Sequence, residues 1–159
     1  MSGTKVKKLA SLKRIVTTLK KKEKRIVFTN GCFDILHYGH VMYLEKARAS
    51  GDCLIVGINS DSSVKKIKGL NRPIVNEFDR ARVLAGLQSV DFVVIFNEET
   101  PLKLIQALKP DVLIKGSDWK NKGIVGSDFV KSYGGKVLTV KLARGRSTTN
   151  IFKEIAKAY

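Results

Sequence analysis

The chain has 159 residues, 43% of them hydrophobic, and 30 Lys and Arg against 14 Asp and Glu give it a formal charge of +16. That length and apolar content suffice for one domain with its own core, which removes the need for disulfides or a structural metal. Cys32 and Cys53 are therefore expected as reduced thiols, no signal peptide or membrane-spanning run is visible, and a cytoplasmic protein without a membrane partner is expected.

The charge is uneven, because residues 1–25 hold ten Lys or Arg and one Glu, a local excess of +9 that leaves +7 for the rest. Leu9, Leu12, Ile15, Val16 and Leu19 recur at spacings of three and four, which predicts an amphipathic helix with a basic face. Residues 1–24 are thus read as a helical segment packed on a domain spanning residues 25–159. A regular helix with a wet basic face is not a nucleic-acid-binding arm, so no nucleic acid is expected as a partner.

From Ile26 the chain alternates short apolar runs with helical patterns: Ile26 to Phe28, Cys53 to Ile58, Phe92 to Phe96, Val112 to Ile114 and Val137 to Val140. Continuous rather than alternating apolar strands, separated by helix-length segments, predict a parallel sheet covered on both faces. Five such units make a Rossmann-like, doubly wound α/β/α sandwich with an extra N-terminal helix, and ligands then sit at the carboxyl ends of the strands.

The first strand runs into Thr29-Asn30-Gly31-Cys32-Phe33-Asp34 and on to His37-Tyr38-Gly39-His40, where a helix of about ten residues is predicted to begin. Gly39 lets backbone approach an anion, and the unpaired N–H groups and dipole of the helix favour negative charge. His37 and His40 are the only histidines and flank that glycine, so they read as phosphate-stabilising donors. A zinc site with Cys32 and Cys53 is the rival, but the spacings fit no common zinc pattern and Cys53 opens a core strand.

After the second strand, Lys65, Lys66 and Lys68 precede Gly69; they are either a solvated face or groups reaching a phosphate, with Lys65 and Lys68 the better placed. Asn76 opens a helix carrying Phe78, Ala81, Leu84, Ala85 and Leu87, Thr100-Pro101 opens another, and Ser127 a third that stops at Gly134-Gly135. Residues 67–76 and 116–126 are the candidate mobile walls of a site. Lys115, at the carboxyl end of the fourth strand, is a ligand candidate or a solvated charge, and Trp119 an anchor for the second wall or core. Finally Ser147, Thr148 and Thr149 follow Gly145-Arg146 at a last helix N-terminus, where one hydroxyl suffices for capping and the others are available to an anion.

The blocks at 28–40, 59–69, 115–118 and 145–151 resemble the nucleotidyltransferase superfamily with the His-x-Gly-His signature, and within it the heptose 1-phosphate adenylyltransferases, found alone or fused to a sugar kinase. The resemblance runs from about Ile26 to Ile155. It implies transfer of AMP from ATP to D-glycero-β-D-manno-heptose 1-phosphate by in-line attack on the α-phosphate, with Mg²⁺ carried among the phosphates and no metal ligands identified. By this resemblance His37, His40 and Lys68 act in catalysis. Thr29, Asn30, Gly31, Cys32, Phe33, Gly39, Lys115, Gly116, Ser147, Thr148 and Thr149 hold the nucleotide. Asp34, Lys65 and Arg80 hold the sugar phosphate. A separate sugar kinase upstream and a homo-oligomer, dimer or larger, are expected. The rivals are a glycerol 3-phosphate cytidylyltransferase and, outside the class, a nucleotide- or RNA-binding module without turnover.

Overall fold

The structure is a computed structural model and describes residues 5–159; the first four residues of the 1–24 segment lie outside the described residues. Five strands, β1 (Ile26–Gly31), β2 (Cys53–Asn59), β3 (Phe92–Phe96), β4 (Val112–Gly116) and β5 (Lys136–Val140), pair in parallel in the order β3-β2-β1-β4-β5. The central strand β1 therefore sits where the winding reverses: β2 and β3 are laid down on one side of it, β4 and β5 on the other. A doubly wound sheet opens a crevice at the carboxyl ends of the strands at that point.

Alternation along the buried strands divides the core into two layers. Val27, Leu54, Val56 and Ile58 face α2 (Tyr38–Arg48) and α4 (Glu77–Ala85) through Tyr43, Leu44, Ala47, Ala81, Leu84 and Ala85. Ile26, Phe28, Ile55 and Leu113 face the opposite layer, which receives Leu12 and Val16 of α1 (Leu9–Lys21), Leu104, Ile105 and Leu108 of α5 (Leu102–Leu108), and Val130 of α6 (Ser127–Ser132). Within the predicted apolar stripe of α1 it is Leu12 and Val16 that are fully covered, while Leu9 and Leu19 pack at the margin. Ahead of that helix, Lys7 N–H donates to the Val93 carbonyl and Val93 N–H to that of Lys5, so the chain runs along the β3 edge and shields it.

Two expectations change. Phe78, placed in the apolar set of α4, is 72% exposed, because the buried face of that helix is made by Arg80, Ala81, Leu84 and Ala85. The β5 strand is not enclosed like its neighbours: as an edge strand it leaves Leu138 exposed, and α7 (Thr148–Ala158) has no fully buried residue. The remaining helix, α3 (Asp61–Lys68), is capped by Ser60, whose hydroxyl accepts from the Ser63 N–H.

Candidate active site

The crevice at the switch point is one cleft with two overlapping lobes of about 450 and 440 Å³. Asn30, Gly31, Cys32, Phe33, His40, Lys68, Lys115, Trp119, Thr148 and Thr149 line both. The first lobe adds His37, Gly39, Gly116, Asp118, Arg146 and Ser147; the second adds Asp34, Asn59, Arg72, Glu99 and Thr100.

The histidine lobe is built by the start of α2. His37 is its N-cap, and its Nδ1 accepts from the Gly39 N–H at 3.1 Å, which leaves the proton of the neutral ring on Nε2. The two imidazoles stack with centroids 3.9 Å apart, and the Phe33 ring meets His40 edge-on at 5.1 Å. Glycine is required between the histidines: a Cβ on Gly39 would stand 2.9 Å from His37 Cε1 and 3.1 Å from the Arg146 Cβ. Gly31 answers a similar constraint, since its Cβ would come within 2.9 Å of the Phe33 ring. Phe33 itself has φ +47°, a conformation unfavourable for a bulky residue, and it turns the chain from the strand toward His37.

Burial pushes His40 down to about 4, with His37 adding to the effect; burial, then the Arg146 charge, lowers His37. Both rings are therefore neutral N–H donors at neutral pH in the free protein. Among the described residues, His40 Nδ1 and Asn30 Oδ1 are the buried side-chain polar atoms without a hydrogen-bond partner, and both residues line the cleft. Unpartnered buried groups are costly, and two of them at a cleft mark the place of a ligand.

Opposite the histidines stands the N-terminus of α7. Ser147 Oγ accepts from the Asn150 N–H at 3.1 Å and so supplies the cap, leaving the Thr148 and Thr149 positions on the cleft wall. Arg146, whose role the sequence left open, lines the same lobe with its guanidinium 5.6 Å from the Tyr38 ring centroid. Lys115 is no solvated charge: burial lowers it to about 8, its Nζ donates to the Asn30 carbonyl at 3.3 Å, and it lies 5.2 Å from the Trp119 ring centroid. Trp119 is thus cleft wall rather than core. Gly116 is closely packed, since a Cβ would stand 2.6 Å from the Asp118 carboxylate, which would have to turn aside.

Three predicted contacts are placed away from the cleft wall, and a fourth is engaged within the protein. Thr29 is fully buried below the cleft, its hydroxyl 2.7 Å from Tyr43 Oη and donating to the Ile114 carbonyl, so it ties β1 to α2 and β4. Lys65 is exposed on α3 and lines neither lobe, whereas Lys68, one turn on along the same face and at the helix end, lines both. Arg80 is also removed from the cleft: its guanidinium donates to the Val75, Cys32 and Asn59 carbonyls and to the Asp61 carboxylate, bracing the cleft from behind. Asp34 does line the second lobe, but its carboxylate accepts from Arg72 Nε at 2.7 Å and from the Ile74 and Val75 N–H groups at 2.9 Å. Burial would raise this carboxyl, but the two amides and the Arg72 side chain outweigh it and hold it below the usual carboxylate range. In this conformation Asp34 anchors the 69–76 loop.

Arg72, Glu99 and Thr100 are cleft residues that motif reasoning did not single out. Arg72 falls within a loop read only as a wall. Glu99 and Thr100 follow β3, where the general rule for strand carboxyl ends was the available signal.

The model of the cytidylyltransferase-like family matches residues 28–156. The chain belongs to that family, and it is a nucleotidyltransferase of the His-x-Gly-His type. It is 54% identical over 158 residues, 99% of its length, to the bifunctional protein HldE of Geobacter metallireducens. To the bifunctional protein HldE of Campylobacter jejuni subsp. doylei it is 56% identical over 149 residues. In each case it covers 32% of the relative, so the chain spans about a third of the length of these proteins. The crystal structure of the lipopolysaccharide core biosynthesis protein from Thermoplasma volcanium superposes with TM-score 0.62 at 27% identity, covering 77% of this chain and 99% of that one. The pantoate-beta-alanine ligase of Francisella tularensis, at 18% identity and TM-score 0.62, shares the fold.

Proposed function

We propose that the chain transfers AMP from ATP to D-glycero-β-D-manno-heptose 1-phosphate, giving ADP-heptose and pyrophosphate. The observation that carries this reading is the pairing of two neutral, stacked imidazoles with a helix N-terminus across one lobe, beside a second lobe that shares Lys68 and Lys115 with it. The triphosphate lies in the first lobe, against His37, His40, Arg146, Thr148 and Thr149, and the sugar phosphate enters the second. An oxygen of the sugar's phosphate forms a bond to the α-phosphorus while the bridging bond to the β-phosphate breaks, and pyrophosphate leaves with the electron pair. Such transfer needs positioning and charge stabilisation rather than a protein nucleophile.

His37 donates from Nε2, and His40 lines both lobes beside it; a polyanion beside the rings favours their protonation and so strengthens their hydrogen bonds to it. Lys68 and Lys115 sit where the lobes meet and reduce the repulsion between the two phosphates. Among the described residues no group of three or more His, Cys, Asp or Glu could hold a metal, and Asp118 is a carboxylate on the wall of the histidine lobe. That donor set fits Mg²⁺ carried mainly by the phosphates; Asp118 is the residue that would hold it from the protein side, and the ion would supply charge neutralisation. No helix among the described residues is long and apolar enough to cross a membrane. The α1 helix contributes packing rather than chemistry, since its buried residues face the sheet layer away from α2.

The choice of ATP and heptose rests on the resemblance of residues 29–34, 59–61 and 67–69 to the heptose adenylyltransferases. Pyrophosphate release is to be measured with ATP and CTP, each paired with D-glycero-β-D-manno-heptose 1-phosphate, its α-anomer and glycerol 3-phosphate. Turnover with ATP and the β-anomer is expected to lead; turnover confined to CTP with glycerol 3-phosphate would overturn the substrate assignment.

A further inference from the structure

Arg72 stands apart from the other cleft cations because it is held rather than free to search. Its Nε donates to Asp34 at 2.7 Å, its guanidinium lies 4.5 Å from the Phe152 ring centroid of α7, and its side chain is 23% exposed. One edge of the fork is thus fixed by a carboxylate and one face by an aromatic ring. Among the described residues no protein acceptor engages its terminal Nη atoms, and the residue lines the second lobe next to Lys68. A planar guanidinium so held is a preorganised, bidentate receptor for an oxyanion.

We propose that Arg72, with Lys68, binds the phosphate of the acceptor, and that Asp34 is the positioning residue that aims the guanidinium. The proposal rests on the transfer reaction argued above and names the group that holds its nucleophilic phosphate. Chemical necessity favours a cation here: a phosphate monoester anion must approach a triphosphate, and Lys115 and Lys68 at the junction are shared with the nucleotide lobe. Asp34 would otherwise repel that anion. Its charge is absorbed by Arg72 Nε and the Ile74 and Val75 amides, which leaves the outer edge of the guanidinium to the ligand.

The test is the kinetics of Arg72→Gln and Arg72→Lys beside the wild type, using whichever acceptor of the pyrophosphate-release series the wild type turns over. Arg72→Gln is expected to raise the acceptor KM roughly 10- to 100-fold, the scale of lost charge-assisted hydrogen bonds, with the nucleotide KM within about threefold of wild type. Arg72→Lys keeps the charge without the fork and should fall between the two. If Arg72→Gln does not fold, the lysine variant alone decides, and an acceptor KM equal to that of the wild type overturns the proposal. Equal rises in both KM values would show a structural role and overturn it too. Turnover of glycerol 3-phosphate but not the heptose would sink the heptose assignment and leave the Arg72 measurement intact. A wild type that turns over none of the acceptors would overturn both.

Discussion

Around His37 and His40, buried side-chain polar atoms of cleft-lining residues lack protein partners, whereas in the lobe around Asp34 the polar groups are paired with one another. His40 Nδ1 and Asn30 Oδ1 are orphaned, and the imidazoles are kept neutral by burial and by each other. Asp34, by contrast, is saturated by Arg72, Ile74 and Val75, and Arg80 behind it by three carbonyls and Asp61. The first lobe carries imidazole donors that no protein acceptor engages among the described residues, and a helix N-terminus opposite them. The second has a finished scaffold whose shape selects what enters. On the proposed reaction, stabilisation of developing charge falls to one lobe and recognition to the other, and substitutions should separate them.

The largest effect is expected on the scaffold. Arg80→Met leaves three carbonyls and the Asp61 carboxylate without their donor, and since each buried acceptor left unsatisfied costs about 1–3 kcal/mol, a loss of about 3 kcal/mol or more is expected by urea denaturation. A loss below about 1 kcal/mol would show that Arg80 does not brace the cleft, on the scale of an exposed pair. In the histidine lobe, His40→Ala and His37→Ala should lower kcat roughly 100- to 1,000-fold, as loss of one preorganised donor does elsewhere, while thermal melting shows the fold retained. Gly39→Ala is a subtler probe: its methyl group would press on His37 and Arg146, and displacement of the ring should lower kcat roughly 10- to 100-fold without raising the acceptor KM.

The smallest effect is on pH dependence. An unfolded chain binds a proton on His40 near 6.5, which the folded chain refuses until about 4. The contribution of His40 to stability is therefore intact above 6.5 and declines as pH falls through that window. Thermal melting of His40→Asn should show a flatter profile between those values, whereas the Asp34 contribution, from a carboxyl held below its ordinary 3.8, is lost only at lower pH. Identical slopes for variant and wild type would show that His40 is not buried as a neutral ring.

The same contrast explains what was legible in the sequence. Continuous apolar runs announced the parallel sheet, and a strand, a glycine turn and a helix start announced the histidine lobe, because there the chemistry is carried by local backbone and by residues within three positions of each other. The acceptor lobe depends on long-range pairs. Asp34 meets Arg72 and Arg80 meets Cys32 across 38 and 48 residues, and no periodicity or local spacing records which cation a carboxylate will take. Thr29 and Lys65 lie off the cleft wall for a related reason: adjacency to a motif says nothing of which way a side chain points.

The central claim is that chemistry occurs at the α-phosphate held by the histidine lobe, and the fate of a label tests it most directly. In a single turnover with ATP labelled at the α-phosphorus and D-glycero-β-D-manno-heptose 1-phosphate, all label should appear in the nucleotide sugar and none in pyrophosphate, while label at the γ position should leave entirely as pyrophosphate. Recovery of γ-label on the sugar would contradict nucleotidyl transfer and the division of the cleft drawn from it.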